Sequence, residues 1–102
     1  MYLFQNQTTD GDSTIFGSST RDDVGLTEDY VVYIFGTWDG CSVTIHYSFD
    51  NINYSAIDTD ATFTQNGGIG IKLPIDSYIK ATLTSSGAST NITAILKDRQ
   101  NR

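Results

Sequence analysis

The residues best suited to nucleophilic catalysis are a single cysteine, Cys41, and a single histidine, His46. A thiol activated by a neighbouring imidazole is a common catalytic pair. Both residues lie in a stretch, Cys41–Tyr54, whose first half alternates polar and apolar residues with the period of a β-strand. His46 follows Cys41 by an odd number of positions, so a regular strand points the two side chains to opposite faces. We therefore predict a core cysteine, a histidine on the polar face, no catalytic residue and no enzymatic activity.

Metal and cofactor sites have little support in the sequence. A zinc site needs about four cysteine or histidine ligands, and the chain has one residue of each type. The aspartates of Asp10-Gly11-Asp12 and Asp58-Thr59-Asp60 lie in predicted loops, where calcium binding is an alternative to simple turn formation. Neither group has the spacing of a helix-loop-helix calcium site. We predict no metal and no cofactor, and leave calcium at the loop aspartates as an alternative.

The charge distribution argues against nucleic acid as a partner. The net charge is −6; residues 1–60 carry ten acidic residues and one basic residue, whereas residues 61–102 carry two acidic and five basic residues. An acidic protein is repelled by a phosphate backbone. The asymmetry between the two halves could orient copies of the protein in an assembly. No apolar run is long enough to span a membrane, and the first residues lack a signal-peptide pattern, so we expect folding without export.

Short strands separated by turn residues predict the fold. Threonine, serine, tyrosine, valine and isoleucine are frequent, and good helix formers are few. We predict an all-β protein, a single antiparallel β-sandwich of the immunoglobulin-like or jelly-roll-like kind. Gly36–Gly40 and Asn66-Gly67-Gly68 are each expected to close a hairpin, and Ser48–Asn53 to form a turn held by its short polar side chains. About seven short strands are expected: Tyr30–Phe35, Ser42–Tyr47, Tyr54–Ile57, Thr62–Gln65, Ile69–Leu73, Tyr78–Leu83 and Asn91–Lys97.

The two ends of the chain differ in composition from the part between them. Residues 29–97 form the predicted β-sandwich domain, and residues 98–102 are a polar tail. Residues 1–28 are polar and acidic apart from a few apolar positions, chiefly Tyr2–Phe4 and Ile15–Phe16. Two interpretations remain open for this segment: edge strands of the sandwich, or an N-terminal arm whose apolar tip docks on a neighbouring subunit.

One predicted strand is apolar on both faces. Tyr33 and Phe35 alternate with Tyr30, Val32 and Ile34, so neither face of this strand is suited to water. Trp38 follows in a tight turn, where it either caps the sandwich or serves as a contact residue. A second cover is therefore expected over this strand, supplied by the N-terminal arm or by another subunit. The predicted interface residues are Tyr2, Leu3, Phe4, Tyr33, Phe35 and Trp38.

Three runs of the sequence carry a family resemblance: G-T-W-D-G-C-S-V-T-I-H-Y-S-F-D-N-I-N-Y, T-F-T-Q-N-G-G-I-G-I-K-L-P and S-Y-I-K-A-T-L-T-S-S-G. Together they resemble small β-sandwich virion proteins of tailed bacteriophages. The resemblance covers roughly residues 30–97. Asp76-Ser77 stands where that family commonly has a glycine, and the family's glycine after the Asp50 turn is absent. The matching positions are Gly36, Trp38, Gly40, Val43, Ile45, Ser48, Asp50, Tyr54, Phe63, Gly67, Leu73, Pro74, Tyr78, Ala81 and Leu83.

The resemblance implies a non-enzymatic structural protein of a bacteriophage virion. A capsid decoration (cement) protein that stabilises the head through protein–protein contacts is the first hypothesis. A tail-fibre or other tail component, or a glycan-binding β-sandwich module, is the alternative. The implied partners are the major capsid protein or other virion proteins, together with self-association, and no nucleic acid or membrane. The implied location is the virion, assembled in the cytoplasm of the bacterial host.

Overall fold

The computed structural model describes residues 2–17, 27–57, 61–74 and 77–98, and in this part of the chain it contains ten β-strands and no helix. All of the strand pairs are antiparallel. The strands are β1 (Tyr2–Gln7), β2 (Gly11–Asp12), β3 (Phe16–Gly17), β4 (Thr27–Thr37), β5 (Ser42–Ser48), β6 (Ser55–Ala56), β7 (Thr62–Phe63), β8 (Gly67–Pro74), β9 (Tyr78–Thr84) and β10 (Asn91–Asp98).

The strands form two sheets. Sheet I has the order β1-β10-β4-β8, and sheet II has the order β2-β9-β5-β6 with β3 also on β9 and β7 also on β5. Because β5 and β9 pair with each other along their length, β2 and β3 must share the other edge of β9. By the same argument β6 and β7 share the other edge of β5. Each of these pairs therefore behaves as one interrupted strand.

Counted in this way, the described part of the chain has eight strands in the orders 1-8-3-6 and 2-7-4-5. This is the strand order of a jelly roll, in which two four-stranded antiparallel sheets face each other across one core. The prediction of an all-β antiparallel sandwich is confirmed. Of the two kinds that the sequence left open, the strand order is that of the jelly roll.

Both predicted hairpins are wrong. The Gly36–Gly40 turn connects β4 in sheet I to β5 in sheet II, and Asn66 precedes β8, which pairs with β4 rather than with β7. These turns are corners at which the chain changes sheet. A tight turn fixes a reversal of the chain, but the hydrogen-bonding partner of each strand is set by burial of its apolar face. In a jelly roll that partner is distant in sequence. Tyr33 on β4, for example, lies between Ile95 on β10 and Gly68 on β8.

The core lies between the two sheets and follows the alternation in the sequence. On β5, Val43 and Ile45 are fully buried, and on β9 Ile79 and Ala81 are buried with them. Cys41 is 1% exposed and belongs to this core, as its position in the alternation predicts. The remaining buried apolar residues are Leu3, Phe4, Tyr30, Val32, Ile34, Ala61, Ile71, Leu83, Ile92, Ala94 and Leu96.

The described residues of the N-terminal segment are edge strands of the sandwich. β1 pairs with β10 at the edge of sheet I, and β2 and β3 pair with β9 in sheet II. The arm interpretation is therefore wrong for these strands, whereas residues 18–26 lie outside the described residues. β4 begins at Thr27, two positions before the predicted domain boundary at Asp29. The predicted polar tail lies outside the described residues except for Asp98, which ends β10.

Candidate functional site

The outer face of sheet I carries a row of apolar side chains that nothing in the described chain covers. Tyr2 on β1, Ile95 on β10 and Tyr33 on β4 lie side by side in the strand register. Tyr2 is 49% exposed and Tyr33 is 48% exposed, although both lie within strands. Val31 and Phe35 lie on the same face of β4 and are partly exposed. We call these five residues the aromatic face.

Ring packing and two glycines shape the aromatic face. The rings of Tyr33 and Phe35 lie 5.4 Å apart between centroids and are tilted by 30°. Gly68 lies opposite Tyr33 and Gly70 opposite Val31 on the edge strand β8. Glycine has no side chain, and a Cβ atom at Gly68 would lie 3.5 Å from Cδ1 of Tyr33, in van der Waals contact with the ring. The Tyr33 ring therefore lies beside Gly68, where no β8 side chain covers it.

Two lysines lie on the same side of sheet I as the aromatic face. Lys97 pairs with Val31 in the register, and Lys72 lies two positions beyond Gly70, on the same side of β8. Both lysines are exposed. Lys97 adds positive charge at one end of this apolar surface, in a protein whose net charge is −6, and Lys72 lies opposite Asp29 in the register.

Two of the predicted interface residues are not available for contact. Leu3 and Phe4 are each 3% exposed and belong to the core, so their prediction as interface residues is wrong. The register of β1 is irregular between Tyr2 and Phe4, which turns both Leu3 and Phe4 toward the core while Tyr2 stays outside. Tyr2, Tyr33 and Phe35 remain on the surface and lie together on the aromatic face.

Trp38 caps the end of the sandwich. Its ring packs against the core, and its indole Nε1 donates a hydrogen bond of 2.9 Å to Oδ1 of Asn66. The backbone carbonyl of Trp38 accepts hydrogen bonds from the Cys41 amide at 2.9 Å and from Thr90 Oγ1 at 3.0 Å. Trp38 therefore connects three loops at this end, which leaves less of its surface for a partner than a projecting side chain would have.

Asp39 and Asp10 also connect loops at this end of the sandwich. The Ser89 amide donates to Oδ2 of Asp39 at 2.8 Å, and the Ser86 amide donates to Oδ1 of Asp10 at 2.8 Å. The backbone and side-chain hydrogen bonds from Ser86 hold the pKa of the Asp10 carboxyl below its ordinary value. Asp10, one of the predicted calcium alternatives, thus fixes a loop, as a turn aspartate does.

The loop of residues 48–54, which we call the Asp50 loop, is held by its own polar side chains. Oδ1 of Asp50 accepts hydrogen bonds of 2.8 Å from the Ser48 hydroxyl and from the amides of Ile52 and Asn53. Oδ2 accepts a fourth from Nδ2 of Asn53 at 2.8 Å. These bonds, those from the backbone first, hold the pKa of the Asp50 carboxyl well below its ordinary value. The predicted polar turn is confirmed.

The same loop displays the two most exposed large apolar side chains of the described residues. Phe49 is 61% exposed and Ile52 is 80% exposed. The Phe49 ring makes an edge contact with Tyr47, with 5.4 Å between the ring centroids. The sequence analysis did not identify these residues. Two apolar residues within an Asp/Asn-rich turn are the signal that identifies them, because no strand alternation could bury them.

The outer face of sheet II is polar and connected across strands. Oδ2 of Asp12 lies 3.0 Å from Nζ of Lys80, and Oδ1 of Asp12 accepts a hydrogen bond from Thr82 at 2.8 Å. These contacts, that of Lys80 first, lower the pKa of Asp12. The Thr82 hydroxyl is 3.4 Å from Nδ1 of His46, and the Lys80 ammonium lies 4.3 Å from the centre of the Tyr54 ring. Aspartate, lysine, histidine and tyrosine therefore meet on one face.

His46 and Cys41 do not form a catalytic pair in this arrangement. Cys41 is in the core, where burial raises the pKa of its thiol, and His46 lies on the outer face of sheet II. Partial burial, together with the nearby Lys80 charge, lowers the pKa of His46. In the part of the chain that the structure describes, no group of three histidine, cysteine or acidic residues could hold a metal ion. Asp58 and Asp60 lie outside the described residues.

The comparisons with known proteins add no relative. No family model, no curated protein and no solved structure matches this chain. None of the described residues form a helix that could span a membrane. The functional argument therefore depends on the surfaces described above.

Proposed function

We propose that the protein is a non-enzymatic structural protein of a bacteriophage virion, with capsid decoration as its role, and that it binds neighbouring subunits through the aromatic face. The location that follows is the virion, assembled in the cytoplasm of the bacterial host. The observation that carries the proposal is the outer face of β4, where Tyr33 is 48% exposed in the middle of a central strand. The sequence resemblance to phage virion proteins supplies the biological setting.

The physical argument concerns buried area. Covering about 100 Å² of one exposed tyrosine contributes about 2.5 kcal/mol, at about 25 cal/mol per Å² of apolar surface. Tyr2 and Tyr33 are neighbours across Ile95, so a single flat partner covers both rings at once. Aromatic side chains at the centre of a contact, with charges at the border, are typical of protein interfaces. Jelly rolls serve in both viral capsid proteins and lectins, so the fold alone does not choose between these roles.

Binding to empty capsid shells tests the proposal. We expect the wild-type protein to sediment with shells of the phage that encodes it and to raise the temperature at which the shells open. Tyr33→Thr keeps a strand-forming residue while it removes the ring, and should weaken binding at least tenfold. Ile15→Ser is the matched control, because Ile15 is 44% exposed but lies outside the aromatic face. An equal loss of shell binding in Tyr33→Thr and Ile15→Ser would contradict the proposal, as would a wild type that does not bind the shells.

A second candidate function, glycan binding in a tail component, is favoured by the polar face of sheet II. Hydroxyl, carboxylate and ammonium groups lie beside the Tyr54 ring there, a combination that suits the polar and apolar faces of a sugar. Trp38 is hydrogen-bonded to Asn66 and packs against the core, so its ring is less suitable for stacking on a sugar. A glycan array distinguishes the candidates: a saccharide whose binding is lost in Tyr54→Ala but kept in Tyr33→Thr favours the second.

A further inference from the structure

We propose that the aromatic face takes a second copy of this chain, whose Asp50 loop inserts Phe49 and Ile52 beside Tyr33, so that copies associate head to tail. This inference rests on the proposed function of the aromatic face as a subunit contact, and it names the subunit. Two surfaces of one chain that are both apolar, but differ in shape and charge, are the basis of the argument.

Exposed apolar side chains concentrate on these two surfaces. Among the described residues, four of the five large exposed hydrophobics belong to one or the other: Tyr2 and Tyr33 to the aromatic face, Phe49 and Ile52 to the Asp50 loop. Scattered single apolar residues are normal on a protein surface, whereas larger contiguous apolar patches mark contact sites. The fifth, Ile15, lies between β2 and β3 at the edge of sheet II.

The Asp50 loop is organised before any partner binds. Asp50 accepts four hydrogen bonds within the loop, and the Ser48 hydroxyl accepts two more from the amides of Asp50 and Asn51. The Tyr54 hydroxyl is bonded to the Asn51 side chain. Because the loop is already ordered, binding through Ile52 avoids most of the entropy loss that a flexible loop would incur.

The two surfaces are apolar and carry opposite charges. Gly68 and Gly70 lie opposite Tyr33 and Val31 and carry no side chains, so no β8 side chain at these positions separates a projecting isoleucine from the Tyr33 ring. Asp50 remains ionised because its hydrogen bonds lower its pKa, so the loop brings a negative charge. The aromatic face has the exposed Lys97 on the neighbouring strand. Opposite charges at the border of an apolar contact orient the two copies.

The positions of the two surfaces make the contact heterologous. The Asp50 loop follows β5 of sheet II, whereas the aromatic face is the outside of sheet I. Loop-to-face contact therefore leaves one free loop and one free face at the ends of each pair. Such a contact continues to further copies, and it closes into a ring or extends as a chain.

Sedimentation velocity of the purified full chain tests this inference. A small contact of this kind is weak, so the concentration should range from about 10 µM to about 1 mM. We expect wild-type protein to associate beyond a dimer as concentration rises. Tyr33→Thr removes the ring from the aromatic face, and Ile52→Ser removes the apolar side chain from the Asp50 loop. Each substitution should weaken association at least tenfold. Ile15→Ser should associate like the wild type.

Mixing the Tyr33→Thr and Ile52→Ser variants gives the decisive result. The Tyr33→Thr copy keeps a working loop and the Ile52→Ser copy keeps a working face, so an equimolar mixture should form a dimer and grow no further. Circular dichroism melting of each variant shows that it is folded, and Phe49→Ser provides a second variant of the loop. A wild type that stays monomeric throughout, or a mixture that forms no dimer, would overturn the inference.

The outcomes also separate this inference from the proposed function. If the wild type stays monomeric but binds capsid shells through Tyr33, the second copy is the wrong partner and the proposed function stands. If copies associate as expected but bind no shells, the inference stands and the virion role fails. Association that Ile15→Ser weakens as strongly as Ile52→Ser does would count against the Asp50 loop as the contact.

Discussion

Asn66 and Trp38 are joined by a hydrogen bond that closes one end of the sandwich. Oδ1 of Asn66 accepts it from the indole Nε1 at 2.9 Å, and accepts another from the Gly36 amide at 3.1 Å. One side-chain oxygen thereby connects the β7–β8 loop to the turn at which the chain passes from sheet I to sheet II. The bond holds a large ring that packs against the core.

Replacing Asn66 with alanine should lower the free energy of unfolding by about 1 kcal/mol, because two donors lose their acceptor at an exposed site where water can replace it. Trp38 is the single tryptophan, so its fluorescence reports directly on this contact. We expect the emission maximum of the folded variant to shift, together with a lower midpoint in urea. Asn91→Ala, at an exposed asparagine that begins β10, is the control and should change neither. An unchanged midpoint in Asn66→Ala would show that the cap does not depend on this bond.

Gly36 is required by the close approach of β10. Its φ is +140°, and a Cβ atom there would overlap the backbone carbonyl of Asn91, which cannot move without breaking the β4–β10 pairing. Gly40 also has a positive φ, +84°, but a Cβ atom there would meet no atom within 4 Å. Both alanine variants are therefore strained in the backbone, and only one of them clashes.

We expect Gly36→Ala to be less stable than Gly40→Ala by about 3 kcal/mol, the upper range for overpacking. Chemical denaturation of the two variants in parallel measures the difference. If the soluble yield of Gly36→Ala is too low for denaturation, the soluble yield and the resistance to proteolysis of the two variants rank their stability instead. Equal stability of the two variants would mean that β4 and β10 are less closely paired than the structure shows.

The alternation of apolar residues predicted what is buried, but the turns did not predict the topology. Val43 and Ile45 could be assigned to the core because burial on one face of a strand is a local property. The partner of a strand is not local: β4 pairs with β8 and β10, and neither is its neighbour in the sequence. The turn before Cys41 therefore correctly predicted that the chain reverses there. The prediction that β4 pairs with β5 across this turn was wrong.

The candidate surfaces were partly predictable for the same reason. The outward direction of Tyr33 and Phe35 follows from strand alternation, and the structure places both on one face. Leu3 and Phe4 were mistaken for contacts because the irregular register of β1, which buries both, leaves no trace in the sequence. Phe49 and Ile52 were missed because their exposure depends on a loop conformation that the hydrogen bonds of Asp50 impose.

Asp50 should make the stability of the protein depend on pH in the acidic range. Its folded-state pKa is held below the ordinary value of 3.8 by hydrogen bonds from Asn53, Ile52 and Ser48. A lowered pKa means that the folded state favours the ionised carboxylate, so this stabilisation is present above the ordinary value and is lost as the pH falls toward the folded-state value. We expect the melting temperature of the wild type to fall between about pH 5 and pH 2 more steeply than that of Asp50→Asn. Parallel pH dependences in the two proteins would contradict this role of Asp50.

Lys80 should control the protonation of His46. Burial and the Lys80 charge lower the pKa of His46, while Asp12 acts in the opposite direction. Replacing Lys80 with methionine removes the repelling cation and keeps most of the apolar side chain, so the pKa of His46 should rise. Because His46 is the only histidine, its ring proton gives a single NMR titration curve.

The matched control for this titration is Lys72→Met, since Lys72 lies on β8 of sheet I and His46 on β5 of sheet II. This variant should leave the titration of His46 unchanged. A pKa of His46 that rises equally in both variants would mean that net charge, rather than the cross-strand pairing of His46 with Lys80, sets it. A rise in Lys80→Met alone would show that the polar face of sheet II acts as one electrostatic unit, in which any anionic ligand near Lys80 also changes the charge of His46.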